Sequence, residues 1–419
     1  MTSSPRLPLI ALFLALLLAP ARAEAYSVLT HQAIIDAVWE SSMRPLLRAR
    51  FPDAGADAWK EARAAAYGGA LTPDIGYYPG GSKLFTNLVH YTRSGDFVQA
   101  LLREAHSIQE YAFALGVLSH YHADRWGHGI GTNQSVPIVY PKHHHDRRSV
   151  TYEEDPIAHQ RVEFGFDVLQ TARGNYASEA YHDFIGFRVE DSLLGRAFRS
   201  TYGLELKDVY PQFARSVNTL RFCVRSLFPL ITRAAWQNRK PEIRAARPGV
   251  TARSFAYRMR RKEYQKAFGG KKDRPGFGVR MLAGLIWLLP KVGPLKPLKF
   301  RVPGREAEKL FVKSFDTVTH FLGRDMAAIV HSGRPSIPNY DFDTGEPTKK
   351  GGYALADDTY RRLLLRLYDD GFKGLDGPLR QNILDFYGKE APASQLTDRD
   401  AARLEAAFRA LRNAAVTHR

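Results

Sequence analysis

With 419 residues, 44% of them hydrophobic and 25% charged, the chain has room for a sizeable core, and global disorder is excluded. Cys223 is the only cysteine, which excludes both an internal disulfide framework and a thiolate zinc cluster. The net charge of +17 is concentrated in residues 221–313, where 24 Lys and Arg face 5 Asp and Glu, leaving the rest of the chain at −2. A basic segment of this kind points to an anionic partner, a lipid surface or nucleic acid, or else to a solvated basic face.

In chain order, Arg6 and the apolar run over residues 7–18 precede two small-x-small sequences, Ala21-Arg22-Ala23 and Ala23-Glu24-Ala25. This is the pattern of a secretory signal peptide over residues 1–25, cleaved after Ala23 or Ala25. No other stretch is long and apolar enough to span a membrane. The expectation is an exported protein, periplasmic or secreted. Residues 30–50 predict a helix with Thr30 as its N-cap, and residues 58–67 a second, Ala-rich one. The Gly- and Pro-dense residues 68–81 read as a loop, which puts Asp74 outside regular structure. His90 comes just before Ser94-Gly95-Asp96, which can cap a helix starting near Phe97.

Residues 108–126 have helical spacing. Residues 129–151, with Pro137, Pro141 and His143–His145, read as a long solvated loop, after which Asp155-Pro156 supply the N-cap and N1 of a further helix. Two more helices are expected within 178–198 and 206–238. Residues 239–280 interleave cations with Phe255, Tyr257, Tyr264 and Phe268. Residues 281–290, MLAGLIWLLP, are suited to a membrane interface or to a buried helix. Three helical patterns, 314–331, 355–368 and 398–415, complete the chain, with a polar loop over 335–352. β-Branched alternation is almost absent, so the fold class is all-α.

The chemistry concentrates around residues 120–128. His120, Asp124 and His128 recur every four residues, which keeps them within about 80° of one helix face. Two imidazoles and a carboxylate on one stripe can bind a transition metal; alternatively they form a capping and hydrogen-bonding cluster. His159 and Glu163, one turn apart, repeat the pattern by which helix bundles hold metals in their interior. His122 points to the opposite face from His120 and reads as structural.

The order His31, Asp74, His90, His120-x3-Asp124-x3-His128, His159-x3-Glu163 resembles the zinc-dependent phospholipase C superfamily over residues 26–238. Its spacing after Asp124 is most similar to the catalytic domain of glycosylphosphatidylinositol-specific phospholipase D, as is HQRVEFGFDVL from His159. The resemblance implies a multi-helix bundle with a trinuclear zinc cleft. Asp74, His90, His120 and Asp124 would hold one zinc. Tyr26, as the mature N-terminus after cleavage at Ala25, would join His31 and a shared Asp124 on a second; cleavage after Ala23 removes that ligand. His128, His159 and Glu163 would hold the third. Asp74 is implied as general base, and the implied reaction is phosphodiester hydrolysis at phospholipid head groups by metal-activated water, of phospholipase C or D type.

The expected organisation is a signal peptide (1–25), a catalytic domain (26–238), a basic and apolar segment suited to a membrane surface (239–312) and a helical C-terminal region (313–419). Two alternatives stand beside the phospholipase. One is a single-strand-specific zinc nuclease of the same fold, which the basic and aromatic stretch 253–268 would suit. The other is a non-catalytic, zinc-stabilised lipid-binding protein.

Overall fold

The structure, a computed structural model, describes residues 28–222 and 300–416, less 79, 145, 174–186, 334–335 and 389–397, with a few isolated residues between 240 and 249. The expected signal peptide, Tyr26, Cys223, the basic and aromatic stretch and the apolar run 281–290 therefore lie outside the described residues. Among those described the fold is all-α: helices and short helical turns follow one another, with a lone bridge between Tyr340 and Pro347. No described helix is long and apolar enough to cross a membrane.

The first elements are α1 (Val28–Val38), a π-helical turn (Trp39–Met43), α2 (Arg44–Arg50) and α3 (Ala56–Leu71). A 3-10 turn (Pro73–Tyr77), α4 (Lys83–Tyr91), α5 (Ser94–Glu104) and α6 (Ile108–Trp126) follow, then a second π-helical turn (Gly127–Thr132), α7 (Asn133–Val139) and α8 (Pro141–His144). Next come α9 (Pro156–Arg173), α10 (Asp191–Tyr202), α11 (Leu206–Val209) and α12 (Phe213–Phe222). The C-terminal helices are α13 (Arg305–Ser332), α14 (Ala354–Asp369), α15 (Gly377–Tyr387) and α16 (Asp398–Asn413).

The contact between α3 and α6 is the centre of the fold, and composition explains it. Ala62, Ala65, Ala66, Gly69 and Ala70 on α3 meet Ala112, Phe113 and Gly116 on α6, all buried. A methyl group added at Gly69 would strike the Phe113 carbonyl, and one at Gly116 the Ala66 carbonyl. The backbones approach this closely only because those positions lack a Cβ. The closeness also carries the Ala70 carbonyl to within 2.9 Å of His120 Nδ1.

Among the described residues the main hydrophobic core draws on positions from Val28 to Leu411, and Tyr91, Tyr353 and Ala356 form a second, smaller cluster. Helix α13 lies against α1, α6, α7 and the second π-helical turn, and α14 against α4. The C-terminal helices thus share the core of the residues that carry the expected ligands.

Several local expectations are corrected. Thr30 is not an N-cap, because α1 is already helical at Val28. Its hydroxyl instead donates to Asp167 Oδ1 at 2.6 Å, and the Leu29 N–H donates to Asp167 Oδ2 at 3.2 Å. The first turn is thus capped by a carboxylate from α9. Asp74 is not in an irregular loop: α3 continues to Leu71 and Asp74 sits in the 3-10 turn. Residues 129–151 are largely helical up to His144. Pro137 is tolerated inside α7 because the Asn133 carbonyl, which its missing N–H leaves free, accepts from the Val150 N–H at 2.9 Å. Helix α15 was not expected, although Asp376 caps it through the Leu379 N–H at 2.8 Å and Pro378 stands in its first turn. The helix expected from 314 starts a little earlier, at Arg305.

Candidate metal centre

Two groups of buried side chains gather between α6 and its neighbours. In the first, Asp74, His90, His120 and Asp124 each place one ligand atom so that all lie within 4.8 Å of one another. Each comes from a different local device. Thr86 on α4 donates its hydroxyl to the Pro73 carbonyl and accepts from the Gly76 N–H, which pins the 3-10 turn and aims Asp74 at His90. His90 is the last-turn residue of α4, and its Nδ1–H donates to the Thr86 carbonyl at 2.8 Å. His120 Nδ1–H donates to Ala70.

With both Nδ1 atoms engaged, the Nε2 atoms of His90 and His120 face inward, 3.3 Å from each other. His90 Nε2 lies 3.0 Å from Asp74 Oδ1 and 3.3 Å from Asp124 Oδ2. His120 Nε2 lies 3.1 Å from Asp124 Oδ2. His31 from α1 stacks on His120 with ring centroids 4.6 Å apart, its Nε2 3.5 Å from Asp124 Oδ1 and 3.6 Å from Asp74 Oδ2. Asp124 is therefore the carboxylate between His31 on one side and His90 and His120 on the other.

The electrostatics are those of a cavity that demands positive charge. Burial disfavours charge on His90, yet Asp124 and Asp74 outweigh it and raise its pKa to about 10. Burial, reinforced by the neighbouring charge of His120, lowers His31 to about 4. Burial opposes ionisation of Asp124, but the charge of His120 and the contacts from His120 and His90 hold its carboxyl well below the usual range. Two ionised carboxylates thus face imidazole nitrogens that differ in which of them carry protons.

The second group is His128, His159 and Glu163. His128 sits in the second π-helical turn, so the stripe read on α6 continues past the helix end with altered geometry. Its Nδ1–H donates to the Phe342 carbonyl at 2.9 Å, with Asp343 Oδ1 at 3.2 Å. His159 Nε2–H donates to Asn133 Oδ1 at 2.9 Å, and the Asn133 amide is oriented by its own donation to the Asp343 carbonyl at 2.7 Å. His128 Nε2 and His159 Nδ1 are thus left as acceptors facing Glu163 Oε1, at 3.9 and 2.6 Å.

None of His128 Nε2, His159 Nδ1 and the two Glu163 oxygens receives a hydrogen bond, although all are buried. Acceptors aimed at acceptors in a buried interior need a proton, a cation or a donating water between them. Burial, with Asp124 nearby, pushes the Glu163 carboxyl well above its ordinary range, and burial beside His128 holds His159 well below its own. The donor set, imidazole nitrogens and carboxylate oxygens with no thiolate, is one that zinc accepts. Both groups fit such an ion.

Every described ligand expected from the sequence lies in or against one of these two groups, and Tyr26 lies outside the described residues. Sequence reasoning missed Thr86, Asn133, Phe342 and Asp343, all of which touch a ligand from outside. Asn133 and Asp343 are buried polar residues in stretches that read as solvated, and no local pattern marks them. His122 pairs with Asp325 of α13, Nε2 to Oδ2 at 3.0 Å, away from either group. His144 pairs with Asp155 at 3.0 Å.

Among the described residues, a helical scaffold whose interior holds two adjacent groups of His and carboxylate side chains fits a zinc-binding helical bundle. Comparison with known families narrows this: residues 30–211 match the family model described as zinc-dependent phospholipase C, and over that span the superfamily read from the ligand order is supported. No curated protein and no solved structure matches the chain.

Proposed function

We propose that the protein is an exported zinc-dependent phosphodiesterase that hydrolyses phospholipid head groups, with phospholipase C-type cleavage. The observation that carries this reading is the pair of buried ligand groups inside the matched span, 30–211. Asp74, His90, His120 and Asp124 would hold one zinc, and His128, His159 and Glu163 another. His31, with the mature N-terminus at Tyr26, would share Asp124 on a third. The chemistry bound zinc supplies at such sites is polarisation of phosphate oxygens and a water acidic enough to attack near neutral pH.

The chain's own residues do the rest. Asp124 offers one oxygen to His31 and the other to His90 and His120, so its two lone-pair faces serve both sides of the first group. Asp74 has Oδ1 against His90 and Oδ2 3.6 Å from His31. Burial opposes its charge, but His120 and His90 hold it ionised below the usual range, so it is present as the carboxylate with Oδ2 open to a proton, while the same positive neighbours make it a weaker base than a free carboxylate. Tyr77 and Tyr152, with centroids 6.5 Å apart, stand against His90 and His159 respectively and give both groups a common aromatic wall.

The test is hydrolysis of phosphatidylcholine vesicles and of single-stranded DNA by the mature full chain, with and without a chelator, followed by analysis of the lipid products. Chelator-sensitive release of diacylglycerol is expected, with DNA left intact. Phosphatidic acid as product would make the enzyme D-type. Chelator-sensitive cleavage of DNA alone would make it a nuclease. Absence of hydrolysis despite bound zinc would leave a lipid-binding protein.

A further inference from the structure

We infer that Asp343, far outside the matched span, is the positioning residue for His128, and that the loop bearing it makes the C-terminal region an integral part of the metal centre. The inference rests on the zinc reading of the two ligand groups.

Asp343 is a carboxylate only 2% exposed. Burying a carboxylate costs several kcal/mol unless donors surround it. Three do. Tyr91 donates its hydroxyl to Oδ2 at 2.9 Å, Tyr353 donates to the same oxygen, and His128 Nδ1 lies 3.2 Å from Oδ1. The two tyrosines alone would satisfy one oxygen of an acid that served only to tie the loop down. The other oxygen is given to the ring of a ligand. An imidazole that presents Nε2 inward needs its Nδ1–H fixed by an acceptor, and an anionic acceptor also raises the basicity of the inward nitrogen.

The neighbouring residues make the same connection to both groups. The Phe342 carbonyl accepts from His128 Nδ1–H, and its ring packs against His90 and His120 with centroids 5.2 and 6.0 Å away. The Asp343 carbonyl holds the Asn133 amide that orients His159. Two consecutive residues thus touch His90, His120, His128 and the partner of His159.

Hydrogen bonds within the loop and to its neighbours hold it in place. Asp341 Oδ1 accepts from the Asp343 N–H at 2.9 Å, and its Oδ2 accepts from the Thr344 hydroxyl at 3.0 Å. Gly345, at φ +74°, turns the chain so that its N–H donates to the Asp341 carbonyl at 2.8 Å. The Phe342 N–H donates to the His90 carbonyl, the Ser94 hydroxyl to the Tyr340 carbonyl, and the Asp96 N–H to Asn339 Oδ1 at 3.0 Å. The loop therefore docks on the end of α4 and the start of α5, beside the ligands.

The experiment is zinc titration of the full chain against a chromophoric chelator, with cobalt(II) absorption reporting the donor set at each class of site. Wild type is compared with Asp343→Asn, which keeps the shape and an acceptor oxygen but removes the charge, and with Asp343→Ala. Asp343→Asn is expected to bind at one class of sites about 10–100-fold more weakly, with an altered cobalt spectrum there and the other sites unchanged. Its thermal midpoint without metal should stay close to wild type. Variants that titrate like wild type would overturn the inference. If neither folds, Tyr353→Phe carries the test: a smaller loss at the same class of sites supports the assignment, and unchanged affinity overturns it. Wild type that binds no zinc at all would instead refute the underlying reading, a result visible before any variant is compared.

Discussion

The first ligand group draws Asp74, His90, His120 and Asp124, with His31 beside them, from elements that follow one another between α1 and α6. The second draws His128 and the pair His159 and Glu163 from a π-helical turn and α9, and its outer partners come from Asn133 and from the loop at 342–343. The groups also differ in charge. The first sets two carboxylates against three imidazoles, so protons can balance it, as the raised pKa of His90 records. The second has a single carboxylate aimed at imidazole lone pairs, with no donor among the described contacts. The first group is assembled from neighbouring elements, whereas the second leans on distant chain, His128 directly through Phe342 and His159 through an Asn133 amide that the Asp343 carbonyl holds.

Disabling the first group should have the largest effect. His120→Ala removes an inward nitrogen and the stacking partner of His31. Loss of a Lewis-acid contribution of several kcal/mol corresponds to a fall in phosphodiester hydrolysis on the order of 10³-fold. Metal analysis should show zinc missing from the first group while cobalt bound at the second keeps its spectrum. Full zinc content in this variant would break the assignment.

The charge contrast sets a pH dependence of the metal-free protein. His90 has a folded pKa raised to about 10, above its unfolded value of about 6.5. The stability it contributes is fully present below about pH 6.5 and is lost as pH rises towards 10. His31, lowered to about 4, acts in the opposite sense: its contribution is present above about pH 6.5 and is lost as pH falls towards 4. Denaturant titrations of chelated protein should therefore show greatest stability near pH 6.5 and a loss on the order of a few kcal/mol by pH 10. In zinc-loaded protein the alkaline loss should vanish, because a coordinated His90 has no proton to give up. An unchanged alkaline loss with zinc present would mean that His90 is not a ligand.

The smallest effect sharpens the contrast from the other side. Asn133→Leu removes the acceptor that orients His159 and leaves the first group untouched. Zinc affinity at the second group should fall about 10–100-fold, with the first unaltered in the same titration. Equal loss at both would show that the two groups behave as one unit.

The ligand ladder itself was legible in the sequence, because its physics is local. The four-residue spacing of His120 and Asp124, and of His159 and Glu163, survives on any regular helix. The all-α class followed from the near-absence of β-alternation. Local reading failed where a residue's partner came from elsewhere in the chain. Thr30 looked like a cap but answers to Asp167 on α9. Pro137 looked like a loop marker, yet the Val150 N–H satisfies the carbonyl it orphans. The loop expected over 335–352 is as polar as a solvated one should be, but its Asp341 and Asp343 are buried and meet donors there.

What the sequence determined by itself was thus the identity and order of the candidate ligands, since helical periodicity converts spacing into a shared face. Only the tertiary structure decided which ligands meet, which nitrogen each histidine turns inward, and that Asp343 stands behind His128. The reason is that a ring's orientation is set by the acceptor at its far nitrogen. For His120 that acceptor is a backbone carbonyl made reachable by glycine-permitted helix contact, and for His128 it is the loop at 342–343, more than two hundred residues away.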